Sequence, residues 1–494
     1  MLTNIILAAV TGLLLVLLHP PFGLWFLAPA ALAPLLIACA REPRWQRRLL
    51  LGLASGYVHW FGLCPWIQFV LEVHGDMGYW GSRGTFLLFC LLKALHFALF
   101  AALAGWVMRL PWAALAAPAL WVGIERTNGP FGFAWLTLGN AGTDMGLPMR
   151  LAPITGVYGL SFLFALMAAV LALALLRRPR LHLAPIALVP LLLLLPALPD
   201  PVQPDRHVAA VQSNFEESHY YSRDEMAREI SQLAILTTSQ VLQPGQPKPD
   251  LLLWPEVPAP LFYSTDGATR TATESIARTT KTPFLFGAVT YTLEGAPLNS
   301  AVLLGDRGQS LSRYDKMYLV PFGEFVPPVF SFVNRISDGV GDYSPGQNLV
   351  VTRLNGHRIG TFICYESAFP HFVREFPNAG ADVLINLTND GYFGRSAARQ
   401  QHLQLARMRA AENRRWILRP TNDGITASID PAGRLIQQFP EFVRTSGRLG
   451  FRYETTKTLY TKHGDWFAWG CLVLALAAVV YAIYRPNYTR PATP

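Results

Sequence analysis

Residues 360–367 read GTFICYES, and their β-branched and aromatic composition predicts a short strand that ends at Cys364. A thiol at a strand end has a rigid support, so its surroundings can tune its pKa. A buried core cysteine is the simpler interpretation, because free cysteines are among the most buried residues. The rest of the sequence has to decide between the two.

The overall composition indicates a membrane portion joined to a soluble portion. Of the 494 residues, 51% are hydrophobic and only 15% are charged. These values lie between those of a soluble enzyme and those of an all-helical transporter. The formal charge of +9 could indicate a nucleic-acid partner, but the basic residues are dispersed and many flank apolar runs. Membrane topology explains them better, and no nucleic-acid partner is predicted.

Eight apolar runs predict eight transmembrane helices. The runs lie near residues 4–18, 23–39, 50–71, 85–108, 112–124, 157–176, 181–198 and 464–484. Several are shorter than the ~20 residues that cross a bilayer upright, so their ends are approximate. Residues 1–4 carry no lysine or arginine, which favours a retained first helix over a cleaved signal peptide.

The distribution of arginine predicts the orientation. If the N-terminus is cytoplasmic, ten arginines fall in inside segments and three in short outside loops. The inside set is Arg41, Arg44, Arg47, Arg48, Arg109, Arg177, Arg178, Arg180, Arg485 and Arg490, and the outside set is Arg83, Arg126 and Arg150. This positive-inside bias, with seven helices before residue 200, places the soluble segment on the periplasmic side of a bacterial inner membrane. An unpaired cysteine is unusual in an oxidising compartment, which argues against a purely structural Cys364.

The sequence predicts three segments. Residues 1–199 form a transmembrane domain of seven helices, residues 200–462 a catalytic domain, and residues 463–494 an eighth helix with a cytoplasmic tail. In the middle segment, strands are expected near 207–212, 250–254, 284–290, 299–304, 359–364, 382–387, 416–420 and 425–430, and helices near 269–280 and 396–415. Ser222 and Glu225 form a capping box ahead of a further helix, and residues 431–433 predict a hairpin turn. The alternation indicates a layered α/β domain, and no internal repeat is visible.

The cysteines predict neither a disulfide framework nor a metal site. Cys364 is the one cysteine of five outside the apolar runs, and no CxxC or zinc-like spacing occurs. The other four are Cys39, Cys64, Cys90 and Cys471. No cofactor is expected.

Two further segments carry reactive groups that a thiol needs. Glu256 follows Trp254 and Pro255 in an apolar setting, where a carboxylate can act as a base. Lys316 can supply a cation that favours a thiolate and then a tetrahedral oxyanion, and the backbone N–H after Cys364 is a second candidate donor. Taken singly, Glu256 could be a surface carboxylate and Lys316 a solvated loop lysine.

Histidine is the usual partner of a catalytic cysteine, but none of the histidines in residues 200–462 has a comparable setting. The candidates are His207, His219, His357, His371 and His402. His402 is expected on a helix, where a structural role is favoured.

Three motifs together carry a resemblance to a known family. The segments 254–256 (WPE), 314–316 (YDK) leading into 319–324 (LVPFGE), and 363–366 (ICYE) resemble the Glu-Lys-Cys motifs of the nitrilase superfamily. With eight spans around such a domain, almost the whole chain resembles the apolipoprotein N-acyltransferase family. Further matching segments are 131–136, 152–156, 386–394, 401–410 and 421–424.

The resemblance implies a polytopic helical membrane domain with a nitrilase-like αββα sandwich. It also implies a two-step acyl transfer, from a phospholipid donor through a cysteine thioester to the N-terminal amine of a diacylglyceryl apolipoprotein. Carried onto this chain, Cys364 is the nucleophile, Glu256 the general base and then acid, and Lys316 the stabiliser of the tetrahedral intermediates.

The resemblance also implies supporting residues. Glu324 corresponds to a second carboxylate near the triad, and Tyr365 and Glu366 shape the pocket of the nucleophile. Asn389 and Tyr392 lie in the matching 386–394 segment and are expected to support the site or bind substrate. Tyr392 departs from the family, which commonly has tryptophan there, so the departure affects substrate preference rather than the reaction.

Because both substrates are lipids, the active site is expected to face membrane lipids. The apolar segments 257–263 and 326–333 are predicted to form lids that touch the bilayer, unless they simply pack on the domain core. Residues 56–62 and 125–135 form either an aromatic belt or a cavity that faces the soluble domain.

Two other functions remain compatible with the sequence. One is a membrane-tethered, nitrilase-like amidase with water as the acceptor. The other is a transporter or binding protein whose soluble domain is an inactive sensor. Eight spans argue against a mere tether, and the intact set of Glu256, Lys316 and Cys364 argues against decay.

Overall fold

The chain divides into two compact units in its computed structural model, which describes residues 1–129, 133–216, 222–257, 261–321, 323–325 and 343–484. The first unit comprises Met1–Gln68, Tyr79–Leu198 and His463–Pro494. The second comprises Phe69–Gly78 and Pro199–Lys462.

Helices make up the first unit. They are α1 (Leu2–Leu17), α2 (Ala33–Arg41), α3 (Trp45–Leu63), α4 (Trp66–Val73, which runs into the second unit), α5 (Gly78–Val107), α6 (Ala113–Glu125), α7 (Ala152–Thr155), α8 (Val157–Leu175) and α15 (Trp466–Tyr484). Segments of 3-10 helix span Trp25–Ala30, Arg126–Asn128, Leu138–Asp144, Pro148–Leu151, Arg180–Leu188 and Pro190–Leu194.

Within the described residues, three helices are long and apolar enough to cross a membrane, namely α5, α8 and α15. All eight predicted runs contain helical residues, but several are divided. The run at 50–71 is split between α3 and α4, and the run at 181–198 is 3-10 helix. Pro185 and Pro190 lie in that last run, and proline cannot donate the backbone hydrogen bond that an α-helix needs. The finding supports a membrane domain, while the count of eight spans stays a prediction.

Two buried charged side chains of the first unit, Lys93 and Glu125, make hydrogen bonds to neighbouring loops. Lys93 on α5 donates to the side-chain oxygen of Asn128 at 3.1 Å and to the carbonyl of Phe133 at 3.0 Å. Glu125, at the end of α6, accepts from Trp121 Nε1 at 3.1 Å and from the Leu138 N–H at 2.8 Å. These contacts give Lys93 and Glu125 a structural role, because each ties its helix to a neighbouring loop.

Two six-stranded sheets form the centre of the second unit. The strands are β1 (Arg206–Gln212), β2 (Leu251–Leu253), β3 (Phe284–Tyr291), β4 (Pro297–Leu304), β5 (Ser310–Asp315), β6 (Val351–Leu354), β7 (His357–Ile363), β8 (Val383–Leu387), β9 (Ile417–Arg419), β10 (Ala427–Ile429), β11 (Leu435–Gln438) and β12 (Thr445–Phe451). The first sheet has the order β12-β1-β2-β3-β4-β5, and the second has the order β11-β10-β9-β8-β7-β6. Leu285 and Ala301 of the first sheet share a small cavity with Ile359 and Thr361 of the second, so the sheets lie face to face.

The two sheets have the same arrangement of strand directions. In the first, β1, β2 and β3 run parallel, with antiparallel β12 on one side and antiparallel β4 and β5 on the other. In the second, β7, β8 and β9 run parallel, with antiparallel β6 on one side and β10 and β11 on the other. The correspondence is not visible as a sequence repeat.

Helices cover the sheets. They are α9 (Arg223–Val241), α10 (Gly267–Thr280), α11 (Pro370–Val373), α12 (Glu375–Asn378), α13 (Ala398–Asn413) and α14 (Leu459–His463). Leu233 of α9 and Ala277 of α10 pack with Phe284 and Phe286 in one hydrophobic core. Helix α13 packs against β9 and against the turn after β7. The result is a layered α/β fold of the predicted kind.

The predicted strands and helices of this unit are confirmed, with ends that differ by a few residues. The Ser222–Glu225 capping box is present at the start of α9, and the 431–433 turn joins β10 to β11. The prediction missed β5, β6, β11 and β12, which are the four outer strands of the two sheets. Edge strands are partly exposed, so their sequences lack the apolar runs that identify central strands.

Candidate active site

Glu256 is held in place by the chain segment that follows β2. The preceding Trp254 is fully buried and donates from Nε1 to the Thr237 hydroxyl at 2.8 Å. Gly287 on β3 donates to the Pro255 carbonyl at 3.1 Å. A Cβ atom on Gly287 would lie 2.6 Å from the Glu256 Cα, so only glycine allows this close approach.

The Glu256 carboxylate is 5% exposed and accepts three hydrogen bonds. Its Oε1 accepts from Lys316 Nζ at 3.0 Å and from Asn299 Nδ2 at 2.7 Å. Its Oε2 accepts from the backbone N–H of Asn389 at 2.8 Å. The contacts come from β4, from the end of β5 and from the loop after β8, so both sheets orient this side chain.

Lys316 lies between two carboxylates. It is 1% exposed, and its Nζ also contacts Glu324 at 2.9 Å. Asn299 bridges the same two carboxylates, because its Nδ2 donates to Glu324 Oε1 at 2.7 Å. Burial by itself would lower the pKa of Lys316, but the charges of Glu256 and Glu324 outweigh it and raise the pKa well above its ordinary value. Lys316 is therefore a permanent cation.

Cys364 lies directly after β7 and opens the 3-10 turn Cys364–Ala368. Its backbone has φ of +50°, a left-handed conformation that is strained for any residue with a side chain. Burial and the charge of Glu256 raise the pKa of the thiol well above its ordinary value, against the opposing effect of Lys316. The resting thiol therefore keeps its proton, and its reaction as a nucleophile requires a base.

Glu366 links the nucleophile turn to the loop that carries Lys316. Its Oε1 accepts from the Tyr314 hydroxyl at 2.6 Å and from the Met317 N–H at 2.7 Å. Its Oε2 accepts from the Ile363 N–H at 2.7 Å. Burial raises the pKa of Glu366 to about 7 against these donors. The carboxylate thus fixes the spacing between Cys364 and Lys316.

A fully buried ion network lies behind Cys364. The carbonyl oxygen of Cys364 is 3.0 Å from His402 Nε2, and His402 Nδ1 is 2.9 Å from Asp390 Oδ1. Arg419 Nη2 donates to both oxygens of Asp390, at 3.2 and 3.1 Å. Burial opposes ionisation of Asp390, but Arg419 and His402 outweigh it and lower the pKa of Asp390 to about 2. Asp390 is therefore a constant anion.

The structure brings most of the predicted site residues together. Glu256, Lys316 and Glu324 are in direct contact, and Asn389 joins them through its backbone. Cys364 is close enough for the charges of Glu256 and Lys316 to shift its pKa.

The two predicted tyrosines differ in exposure and in partners. Tyr365 is 4% exposed and packs edge-on against Phe369, with ring centroids 5.1 Å apart. Tyr392 is 37% exposed and packs against His74, with ring centroids 4.6 Å apart. Tyr392 is therefore the most accessible of the predicted set.

The predicted lids fall largely outside the described residues. Residues 258–260 and 326–342 are not among them, so the lid at 326–333 stays a prediction. In the part of 257–263 that the structure describes, Leu261 is fully buried while the neighbouring Phe262 is 40% exposed. Packing on the core thus accounts for Leu261, and Phe262 remains a candidate for contact with a bilayer.

Sequence reasoning did not single out Asn299, and it gave His402 a structural role without locating its partners. Asn299 was part of a predicted strand, where a polar residue in an otherwise apolar run could have been noticed. The environment of His402 has no local signal, because its partners Cys364, Asp390 and Arg419 are 38, 12 and 17 positions away. Within the described residues, no group of three or more His, Cys, Asp or Glu is placed to hold a metal ion.

Family comparisons match both parts of the chain. Residues 11–170 match the apolipoprotein N-acyltransferase N-terminal domain, and residues 207–446 match the carbon-nitrogen hydrolase domain. Among curated relatives, the apolipoprotein N-acyltransferase of Geobacter metallireducens is 34% identical, and the alignment covers 97% of this chain and 94% of the relative. The enzyme of the same name from Azotobacter vinelandii is 32% identical, over 99% and 96% of the two chains.

Two solved structures are similar to about half of the chain. An amidase from Nesterenkonia sp. AN1 is 18% identical, with a TM-score of 0.37 over 51% of this chain and 94% of that one. The nitrilase-superfamily member Nit3 from Saccharomyces cerevisiae is 17% identical, with a TM-score of 0.39 over 50% and 90%.

Proposed function

Because the chain belongs to the apolipoprotein N-acyltransferase family, we propose that it moves an acyl chain from a phospholipid to a lipoprotein through a thioester on Cys364. The acceptor is the N-terminal amine of a diacylglyceryl-cysteine lipoprotein. The observation that carries this proposal is the buried group of Glu256, Lys316 and Glu324 next to a protonated thiol.

The first step forms the thioester. Glu256 takes the proton from Cys364 Sγ while the sulfur attacks the ester carbonyl of the phospholipid. Negative charge develops on the carbonyl oxygen, and Lys316 stabilises it. The tetrahedral intermediate then breaks its bond to the glycerol oxygen, which receives the proton from Glu256. The products are a lysophospholipid and acyl-Cys364.

The second step reverses these roles. The lipoprotein amine attacks the thioester carbonyl, and Glu256 takes the proton that the amine loses. Lys316 again stabilises the oxyanion. When the carbon–sulfur bond breaks, the thiolate recovers its proton from Glu256, so amide formation regenerates the free thiol.

Glu324 and Asn299 maintain the charges of this cycle. With Glu256 and Glu324 both ionised and Lys316 charged, the group carries an excess of one negative charge. Uptake of one proton by Glu256 makes the group neutral, and Lys316 keeps its contact with Glu324. Asn299 holds both carboxylates at 2.7 Å, so the geometry persists while the proton moves. These residues support the triad without reacting themselves.

The membrane topology completes the proposal. We propose eight membrane spans within residues 1–199 and 463–494, with residues 200–462 as a catalytic domain on the periplasmic side of the inner membrane. The arginine bias and the three long apolar helices support this arrangement. A single cysteine introduced at Glu294, in an exposed turn, should react with a membrane-impermeant maleimide in intact spheroplasts. Reaction only after lysis would contradict the orientation.

The deciding experiment looks for the acyl-enzyme. Purified protein is incubated with phospholipid that carries a labelled acyl chain, and intact mass spectrometry measures the adduct. We expect a hydroxylamine-sensitive mass increase in the wild type and in the control Cys471→Ala, but none in Cys364→Ala. An unmodified wild type, or an adduct that persists in Cys364→Ala, would refute the proposal.

The acceptor is tested on the same acyl-enzyme. A diacylglyceryl peptide with a free N-terminal cysteine amine should remove the label from the protein and gain one acyl group. Release of free fatty acid without transfer would instead support a hydrolase with water as the acceptor.

A further inference from the structure

The conformation of Cys364 requires an explanation. A left-handed backbone at a residue with a side chain is unfavourable, so the surrounding structure has to maintain it. The peptide group that follows the nucleophile is the natural point of control. Its carbonyl oxygen belongs to Cys364, and a contact there sets the plane of the turn and the direction of the Cα–Cβ bond.

His402 makes that contact. Its Nε2 lies 3.0 Å from the Cys364 carbonyl oxygen, and the imidazole is fully buried. A carbonyl oxygen can only accept, so Nε2 carries a proton and donates. Because Nε2 is committed to the carbonyl, His402 is not positioned to remove the proton of the thiol.

The other ring nitrogen of His402, Nδ1, lies next to two charged groups. Nδ1 lies 2.9 Å from Asp390 Oδ1 and 3.0 Å from Arg419 Nη2. If the ring is neutral, Nδ1 accepts from Arg419, and if it is protonated, Nδ1 donates to Asp390. In both states Nε2 keeps its proton toward Cys364, so the contact does not depend on the charge of the ring. The ring of Phe393 packs edge-on at 5.9 Å and limits its rotation further.

The network also reaches Glu256. Asn389 donates its backbone N–H to Glu256 at 2.8 Å, and the next residue, Asp390, contacts His402. Gly424 lets the loop after β9 approach the loop after β8 that carries Asp390, since a Cβ on Gly424 would lie 2.2 Å from Asp390 Oδ2. The turn after β8, which contains Asn389 and Asp390, thus positions both Glu256 and His402.

We infer that His402, fixed by Asp390 and Arg419, is a positioning residue that holds Cys364 in the conformation from which its thiol attacks. The inference rests on the proposed function only for the role of Cys364 as nucleophile.

The test compares two variants of the full-length protein. His402→Leu has a similar size but cannot donate, whereas the amide nitrogen of His402→Gln can reach the position of Nε2. The rate of Cys364 alkylation by iodoacetamide is read by peptide mass spectrometry, and thioester formation is read separately. We expect His402→Leu to slow both by roughly 10- to 100-fold with little change in KM for phospholipid, and His402→Gln to recover most of the loss.

Asn413→Ala is the matched control. Asn413 is also buried on α13, where it bonds to the Arg409 carbonyl and the Thr461 hydroxyl, away from the nucleophile. It should lower the melting temperature without changing the alkylation rate per folded molecule. If His402→Leu does not fold, Asp390→Asn replaces it, with an expected loss of about 3- to 10-fold, because the ring loses its ionic partner.

Two results would overturn the inference. One is a wild-type alkylation rate in folded His402→Leu or in its substitute Asp390→Asn, and the other is a glutamine variant as slow as the leucine variant. Alkylation needs no lipid, so it decides the role of His402 even if phospholipid gives no thioester. Absence of the thioester would refute the proposed function, and the alkylation rates alone would then test the role of His402.

Discussion

Two carboxylates occupy corresponding positions in the two sheets but have different partners. Glu256 and Asp390 each lie three positions after the last residue of a middle parallel strand, Leu253 of β2 and Leu387 of β8. Glu256 meets Lys316, which it shares with Glu324. Asp390 meets Arg419, whose guanidinium contacts both its oxygens, and His402.

The difference shows how partners decide the role of a carboxylate. Asp390 has a cation for itself, so its pKa is held at about 2 and it cannot take a proton near neutral pH. Glu256 and Glu324 share one cation, so one proton can be added without leaving Lys316 unpaired. The first arrangement suits a fixed structural charge, and the second suits a base.

The largest expected effect comes from Glu256→Gln. Loss of a general base should lower acyl transfer by roughly 10²- to 10⁴-fold. The charge of Glu256 raises the pKa of Cys364, so its removal should shift the midpoint of the alkylation rate, measured across a pH series, to lower pH. Turnover and iodoacetamide alkylation are measured on the same preparation. A midpoint that stayed at the wild-type pH or moved to higher pH would show that the charge of Glu256 does not act on the thiol.

Lys316→Met should reduce turnover by roughly 10²- to 10³-fold, because the oxyanion loses its stabilising charge. Here alkylation should also become slower, since Lys316 lowers the pKa of the thiol. The opposite effects of the two variants on alkylation are the critical result. A faster alkylation in Lys316→Met would show that the positive charge does not act on Cys364.

Gly287→Ala tests how closely Glu256 must be held. The added methyl group would lie 2.4 Å from the Val257 nitrogen, so the loop that carries Glu256 has to move. A displacement of this kind should cost about 100-fold in turnover. Gly267→Ala, at the start of α10 with no atom within 4 Å of the new methyl group, is the control and should behave like the wild type. Equal activity of the two variants would mean that the site tolerates the shift.

The smallest effect concerns stability and pH. The pKa of Asp390 is lowered from 3.8 to about 2 in the folded protein, so its ionised form should stabilise the fold by about 2 kcal/mol. Since the folded pKa is depressed, this contribution is present above pH 4 and is lost as the pH falls through 2. The gap in melting temperature between wild type and Asp390→Asn should therefore be constant from pH 5 to 7 and shrink below pH 4. A gap that stayed constant down to pH 2 would show that the Asp390 charge does not stabilise the fold.

The sequence predicted the central part of the fold well and its edges poorly. The central strands β2, β3, β7 and β8 are apolar runs, so composition identifies them. The edge strand β11 reads LIQQ and is half exposed, so nothing in it distinguishes a strand from a loop. The paired arrangement of the two sheets was invisible, because it lies in strand direction and order rather than in residue identity.

The candidate site, too, was predicted only in part. Glu256 and Cys364 were predicted because each follows a short apolar segment. Lys316 was predicted because it can supply a cation, and the motifs around all three residues resemble a family. His402 was assigned a structural role, since its contact with Cys364 arises only when α13 packs against the turn after β7. Asn299 was passed over for a similar reason, as its two carboxylate partners are 43 and 25 positions away.

By itself, the sequence determined where strands end in reactive groups and which segments are apolar enough for a membrane, because both depend on neighbouring residues. Only the tertiary structure decided which carboxylate shares a cation and which has its own. Glu256 and Lys316 are 60 positions apart, and Asp390 and Arg419 are 29 apart. The ability of a carboxylate to take a proton depends on the charges within a few ångströms, and folding alone brings those charges together.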